Sequence, residues 1–199
     1  MWALIESGSV SKIFTRPTQL TIGDIKYPRN IFELWSESEL KAIGIYTVVI
    51  DNTNLKDTRY YDNTNQSFNF ASDTVTASYG TPTAKSLTDI LYTAQDETDG
   101  LGIEGEVKIR GLKSIHKEVI NIQANGKLKD YDWMTIRETE GGTAMPSNIK
   151  TWRASVRTKA NDMCTQIDNA ADVDALAALY VYNEEIPAVR PLGEFPELS

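Results

Sequence analysis

Histidine and cysteine are nearly missing from this chain, which holds one of each, His116 and Cys164, in 199 residues. A single cysteine excludes an internal disulfide and any cysteine-built zinc site within one chain. A single histidine removes the usual general base, and no motif flanks it or Cys164 to suggest a Cys–His dyad. His116 reads as a boundary residue of a helix, and Cys164 as a packing residue on an apolar stripe. Basic residues are also in deficit. The net charge of -8 argues against a phosphate-backbone partner, and the Lys and Arg residues are scattered rather than clustered. No run approaches the roughly 20 apolar residues that span a bilayer. The Met1–Lys12 segment lacks the basic start and apolar stretch of a secretory signal, so a soluble protein made in a cytoplasm is expected, with neither nucleic acid nor membrane insertion.

What is present suits a folded chain. A hydrophobic share of 41% with 24% charged residues is ordinary for a globular protein. The first half reads as β-rich. Trp2–Ile5, Val10–Thr15 and Leu20–Tyr27 are short runs punctuated by Ser7-Gly8-Ser9 and Arg16-Pro17. Ser36-Glu37-Ser38-Glu39 is a capping box opening a helix of about two turns that Gly44 ends. Ile45–Ile50 is a β-branched strand. Phe68, Phe70, Val75, Ala77 and Tyr79 form two alternating sets split by Ser72-Asp73, as in a hairpin or bulged strand.

After Gly80-Thr81-Pro82 the period becomes helical. Leu87, Ile90 and Leu91 predict a helix from about Ala84. Leu112, Ile115, Val119 and Ile122 predict one apolar helix face, ended by Asn125-Gly126. Trp133 and Ile136 anchor a shorter helix stopped by Gly141-Gly142, with Trp133 and Trp152 expected in the core. From Pro146, the residues Ile149, Trp152, Val156, Ala160, Met163 and Ile167 form a narrow stripe. The expectation is an α+β protein: a β-rich module over 1–82, a helical bundle over 83–183, and an extended Pro-rich tail over 184–199. In that tail Ile186, Val189, Leu192 and Phe195 recur every third residue, a spacing that suits one apolar edge docked on a neighbouring chain, with a frayed terminus as the alternative reading.

Enzyme motifs are lacking. The carboxylates at 96–106 miss the spacing of a calcium loop, and Gly141-Gly142 belongs to no phosphate-binding loop, so no catalytic residue, cofactor or metal is expected. The helical half does carry a distinctive order of residues: Asp132-Trp133, Arg137, Glu140, Gly141-Gly142, Pro146, Ile149, Arg153, Arg157 and Val173-Asp174-Ala175-Leu176. That order resembles the C-terminal helical segment of tail-fibre assembly proteins and tail assembly chaperones of tailed bacteriophages, over roughly the last third of the chain. Tyr27-Pro28, Trp35-Ser36, Leu40 and Gly44-Ile45-Tyr46 are similar to a short β-rich module at the start of many phage tail-associated proteins.

The resemblance implies a virion tail protein assembled in the host cytoplasm. It would be present as a homo-oligomer or in several copies and would bind tail-fibre or baseplate proteins. A departing assembly chaperone is the alternative. Asp132, Trp133, Arg137, Glu140, Pro146, Trp152, Arg153 and Arg157 are then interaction or structural residues. Arg153 and Arg157 share a helix face, and Asp132 or Glu140 are candidate partners for them across the helical hairpin. A separate reading has exposed aromatics, Tyr60-Tyr61 among them, binding host glycan.

Overall fold

The structure, a computed structural model, describes residues 1–198. The protein is α+β, and its chain divides into two compact units, 1–83 and 84 onward. In order the elements are β1 (Trp2–Glu6), β2 (Ser9–Phe14), β3 (Leu20–Ile22), β4 (Ile25–Tyr27), α1 (Ile31–Leu34), α2 (Glu37–Ala42), β5 (Ile45–Asp51), β6 (Tyr61–Asp62), β7 (Gln66–Ala71), β8 (Thr74–Tyr79) and β9 (Thr83–Ala84). There follow β10 (Ile90–Leu91), α3 (Ala94–Thr98), β11 (Val107–Ile109), α4 (Leu112–Leu128), a 3-10 turn (Lys129–Tyr131), α5 (Asp132–Thr139), α6 (Ser147–Asn169) and α7 (Val173–Ala178).

In the first unit a five-stranded sheet runs β2-β1-β5-β8-β7, with β5 and β8 parallel and the other pairs antiparallel. Its edge strands β2 and β7 approach each other, so the sheet curls into a half-barrel. Alternation along the strands sends Ala3, Val48, Val75 and Ala77 to the inner face, with Phe68 and Phe70. The other face carries Leu4, Phe14 and Ile45, covered by Leu20 from β3, by Ile31 and Phe32 from α1, and by Leu40 from α2. The segment read from Ser67 to Tyr79 is a hairpin: Ser72 and Asp73 both take positive φ, the requirement of the two-residue turn that matches strand twist. Lys41 holds that turn, donating to the Asp73 carbonyl and, at 2.9 Å, to its carboxylate.

The capping box forms as read. Ser36 Oγ accepts from the Glu39 amide, and the Glu39 carboxylate accepts from the Ser36 amide. Gly44 ends α2 at φ +83°, where a Cβ would stand 2.9 Å from the Ile5 carbonyl, and Ile5 in turn donates to the Gly44 carbonyl. Glycine is therefore required there both by conformation and by contact.

In the second unit α4 packs on α6. Every residue of the stripe read along α6, from Ile149 to Ile167, is buried. Two helical expectations fail. No helix begins near Ala84. Thr83–Ala84 and Ile90–Leu91 are short strands with a bend at 87–88 between them, and Ile90 and Leu91 pair with Ile109 and Val107 across a small hairpin. The carbonyls of Ser86 and Leu87 accept from the amides of Leu112 and Lys113, so this segment satisfies the exposed donors at the start of α4. The second failure is the face of α4. Leu112, Ile120, Ala124 and Leu128 point inward, while Ile115, Val119 and Ile122 lie outward, and the helix continues through Gly126 to Leu128.

The tail is not extended throughout: residues 184–187 bend, 191–192 form a turn, and the last residue of the expected tail, Ser199, lies outside the described residues. It does not present one apolar edge. Leu192 is fully buried and Phe195 half-buried against their own chain, whereas Ile186 and Val189 are exposed. Hydrogen bonding decides this. The Leu192 amide donates to the Leu179 carbonyl, and Trp152 Nε1 donates to the Pro196 carbonyl at 2.9 Å.

Candidate interaction surface

Of the residues that carry the resemblance, Asp132 and Arg153 meet in one construction in the second unit. Arg153, on the buried side of α6, is 4% exposed. Its Nη1 donates to the Leu128 carbonyl and its Nη2 to the Asp132 carboxylate, both at 2.6 Å. Leu128 closes α4 and Asp132 opens α5, so one guanidinium ties the C-terminal end of one helix to the N-terminal end of the next. Each bond follows the local field, because the helix end presents unpaired carbonyls to a cation and a carboxylate suits a helix start. Trp152, the neighbour of Arg153, is buried and meets the Tyr131 ring edge-on at 5.3 Å.

The remaining residues of that set are not drawn in. Arg157, one turn along, is exposed and joins no ion pair among the described residues, and Glu140 and Pro146 are exposed as well. Arg137 donates to the Thr143 carbonyl and stacks over the Trp133 ring at 4.8 Å, closing the turn at Gly141-Gly142. Trp133 does not enter the core; it is 52% exposed, as is its helix neighbour Ile136 at 58%. The core stripe of α6 is already filled by Trp152 and its neighbours, and the Arg137 stack satisfies one face of Trp133 at the surface.

Much of the apolar surface between 90 and 136 is uncovered. Ile90, Leu91, Val107 and Ile109 of the β10–β11 hairpin are exposed, and so are Ile115, Val119 and Ile122 on α4. An isolated two-stranded hairpin is marginal in water, and this one is held at its base instead. Asp89 accepts from the Gly111 amide at 2.6 Å and from Ser114 Oγ at 2.9 Å, which together lower its carboxyl below the ordinary range. Gly111 permits the approach: a Cβ there would sit 2.3 Å from the Thr88 carbonyl carbon. Sequence reading passed over Asp89, because it lies 22 residues before Gly111 and reaches the start of α4 only through the fold of the intervening segment.

The loop at 96–106 is organised by hydrogen bonds and by the ion pair of Lys108 with Asp96. Asp96 caps α3 by accepting from the Thr93 amide and hydroxyl, and its bond from Lys108, the largest influence, helps bring its carboxyl down to about 2. Among the described residues no group of three or more His, Cys, Asp or Glu side chains is placed to hold a metal ion. His116 is half-buried with its ring 4.8 Å from that of Tyr180, and Cys164 is half-buried, its thiol pushed up by burial.

In the first unit the aromatics serve mostly as packing. Tyr60 is buried, Trp2 and Trp35 pack on the outer core, and Tyr46 meets Phe70 edge-on. The Tyr60-Tyr61 pair is thus not an open aromatic platform. A feature that sequence reading missed is an open groove of about 650 Å³ whose lining includes Arg16, Lys26, Tyr27 and Arg29 and no carboxylate. These three cations lie up to thirteen positions apart in sequence and are gathered only by the β3–β4 hairpin, so no local run announced them. None of the three is in an ion pair among the described residues. No helix among those residues is long and apolar enough to cross a membrane. No protein-family model, no curated protein and no solved structure matches this chain.

Proposed function

We propose that this chain is a non-enzymatic bacteriophage tail protein, a structural component associated with tail fibre or baseplate that acts by binding other proteins. The observation that carries the reading is the uncovered apolar surface of the second unit, from Ile90 through Ile122 to Ile136. Exposed apolar side chains gathered on one helix face, as Ile115, Val119 and Ile122 are, mark a binding surface. The order of residues that resembles phage tail assembly proteins supports the same reading, because two of its members, Asp132 and Arg153, join three helices, as a structural role requires.

A departing assembly chaperone would use the same surface transiently. Quantitative mass spectrometry of purified infectious particles separates the two: a fixed copy number relative to the major capsid protein is expected for the structural role. Absence from particles, with recovery from lysate bound to fibre protein, would replace it by the chaperone role. Host-glycan binding is less well supported, since Tyr60 is only 4% exposed.

A further inference from the structure

We propose that the groove at the open end of the β3–β4 hairpin binds a short acidic segment of a partner protein. The inference names a partner chemistry within the protein-binding reading above but rests on a different surface. Two stretches of chain make the groove, 16–19 leading into β3 and 26–29 running out of β4. The hairpin brings them together: Leu20 pairs with Tyr27 and Thr21 with Lys26, and Gly23 supplies the positive φ of the tight turn. The base of the groove is anchored in the core. Leu20 is buried with Ile31 and Phe32, and the Tyr27 ring meets Trp35 edge-on at 5.8 Å. Pro17 and Pro28 restrict the backbone on each side. Arg16, Lys26 and Arg29 therefore share an ordered frame.

The groove carries three positive charges and no negative one. Cations elsewhere in the chain hold carboxylates: Lys41 holds Asp73, Lys117 holds Asp168, Lys127 holds Glu197 and Arg153 holds Asp132. These three do not, although the chain has 28 acidic residues against 20 basic ones. Asp24 in the turn and Glu33 in α1, the nearest carboxylates in sequence, pair with none of them among the described residues. Like charges gathered without a counterion repel, and an anion from outside relieves them. Arg clusters receive acidic motifs because a guanidinium takes a carboxylate through two parallel hydrogen bonds. Three features select a peptide among anions. The charged ends are exposed along two stretches of chain, so no enclosed pocket converges on a single phosphate, and about 650 Å³ is far more than one such group fills. Pro17, Tyr27 and Pro28 set apolar surface beside the cations, which suits aliphatic side chains next to acidic ones. The chain continues from Arg29 into Glu33, Glu37 and Glu39, so the positive stretch is short, and a long polyanion such as nucleic acid needs a longer one.

The test is a heteronuclear NMR titration of the full-length protein at low salt with a hexaglutamate peptide, and with hexaglutamine as the uncharged control. The expected result is shifts at 16–19 and 26–29 with the acidic peptide alone, lost as salt is raised. Arg16→Ala and Arg29→Ala should each weaken binding about two- to fivefold, the size of one exposed charge pair. Arg29→Lys, which keeps the charge and loses the fork, should lose less than Arg29→Ala. Arg16→Glu combined with Arg29→Glu should abolish binding with far-UV dichroism unchanged, since both side chains are exposed. If that variant fails to fold, the map of shifted residues in the native chain still decides. No shifts at millimolar peptide, shifts centred on other cations such as Lys113 or Arg157, or alanine variants that bind as well as the native chain overturn the proposal. A sulfated oligosaccharide or a single-stranded oligonucleotide of equal charge that binds more tightly than the peptide overturns the choice of partner. So does inorganic phosphate that displaces the peptide at equal concentration, which would leave an adventitious anion site. Groove binding by a chain absent from particles would leave this inference standing and remove the virion role. A chain present in particles whose groove binds no peptide would do the reverse.

Discussion

Replacing Arg153 tests whether the buried clip holds the helical unit together. Arg153→Met keeps most of the stem volume but leaves the Leu128 carbonyl without its guanidinium donor. A buried acceptor so orphaned costs about 1–3 kcal/mol. The bond to Asp132 adds less, because that side chain is 56% exposed and water replaces the lost partner. About 2–3 kcal/mol is expected in all. Asp132→Ala leaves the cation buried with the carbonyl as its one remaining acceptor of the two. The figure of about 3–5 kcal/mol for breaking a buried pair is an upper bound here, and solvent beside Asp132 reduces it to about 1–2 kcal/mol. Urea unfolding followed by far-UV dichroism should show both as lower midpoints with unchanged slope. The double variant should fall short of the sum by about 1 kcal/mol. Arg153→Met as stable as the native protein, or a double variant that is strictly additive, would refute the reasoning. The first result would mean that desolvating the charge outweighs what it holds.

Gly44→Ala should destabilise the first unit by about 1–3 kcal/mol in the same assay, since positive φ and the Ile5 carbonyl both oppose a side chain. Gly126→Ala should do the opposite, stabilising the chain by about 1 kcal/mol through helix propensity. Asp96 is charged down to about pH 2, against an ordinary value of 3.8, so its contribution is fully present above pH 3.8 and is lost as pH falls towards 2. An NMR titration of the 93–108 loop should show this loss, and Asp96→Asn should remove it. Asp89, also lowered, should give the same sign of pH dependence at the start of α4, and Asp89→Ala should speed amide exchange in the β10–β11 hairpin.

The helices α4 and α6 show what the sequence could and could not reveal. On α6 the large apolar residues lie in one stripe, so periodicity alone identified the buried face. On α4 they lie on two. The β-branched set at 115, 119 and 122 outweighed the inward set at 120, 124 and 128, in which Ala124 adds little to the apolar signal although it is buried. Periodicity reports that a face is apolar and does not say which neighbour covers it. The 83–91 segment was misread for a related reason: Leu87, Ile90 and Leu91 have helical spacing, but the carbonyls of Ser86 and Leu87 bond to the start of α4 instead of within a helix of their own. The strands were easier to read because Gly8, Gly44 and Ser72-Asp73 mark turns locally. Of the candidate site, the pairing of Asp132 with Arg153 was within reach of sequence. The exposure of Trp133 and the groove at Arg16, Lys26 and Arg29 depend on how distant segments fold together.

The buried Leu192 and the Trp152–Pro196 bond make the chain end a latch on the long helix. Between latch and helices lies an exposed loop, closed at its base by the Asn183 amide donating to the Val189 carbonyl, with Ile186 at its tip. A cut in that loop therefore severs the chain without freeing it. The nicked protein would migrate as one body in native gels and as two pieces after denaturation, and the short piece would leave only when the long helix unfolds.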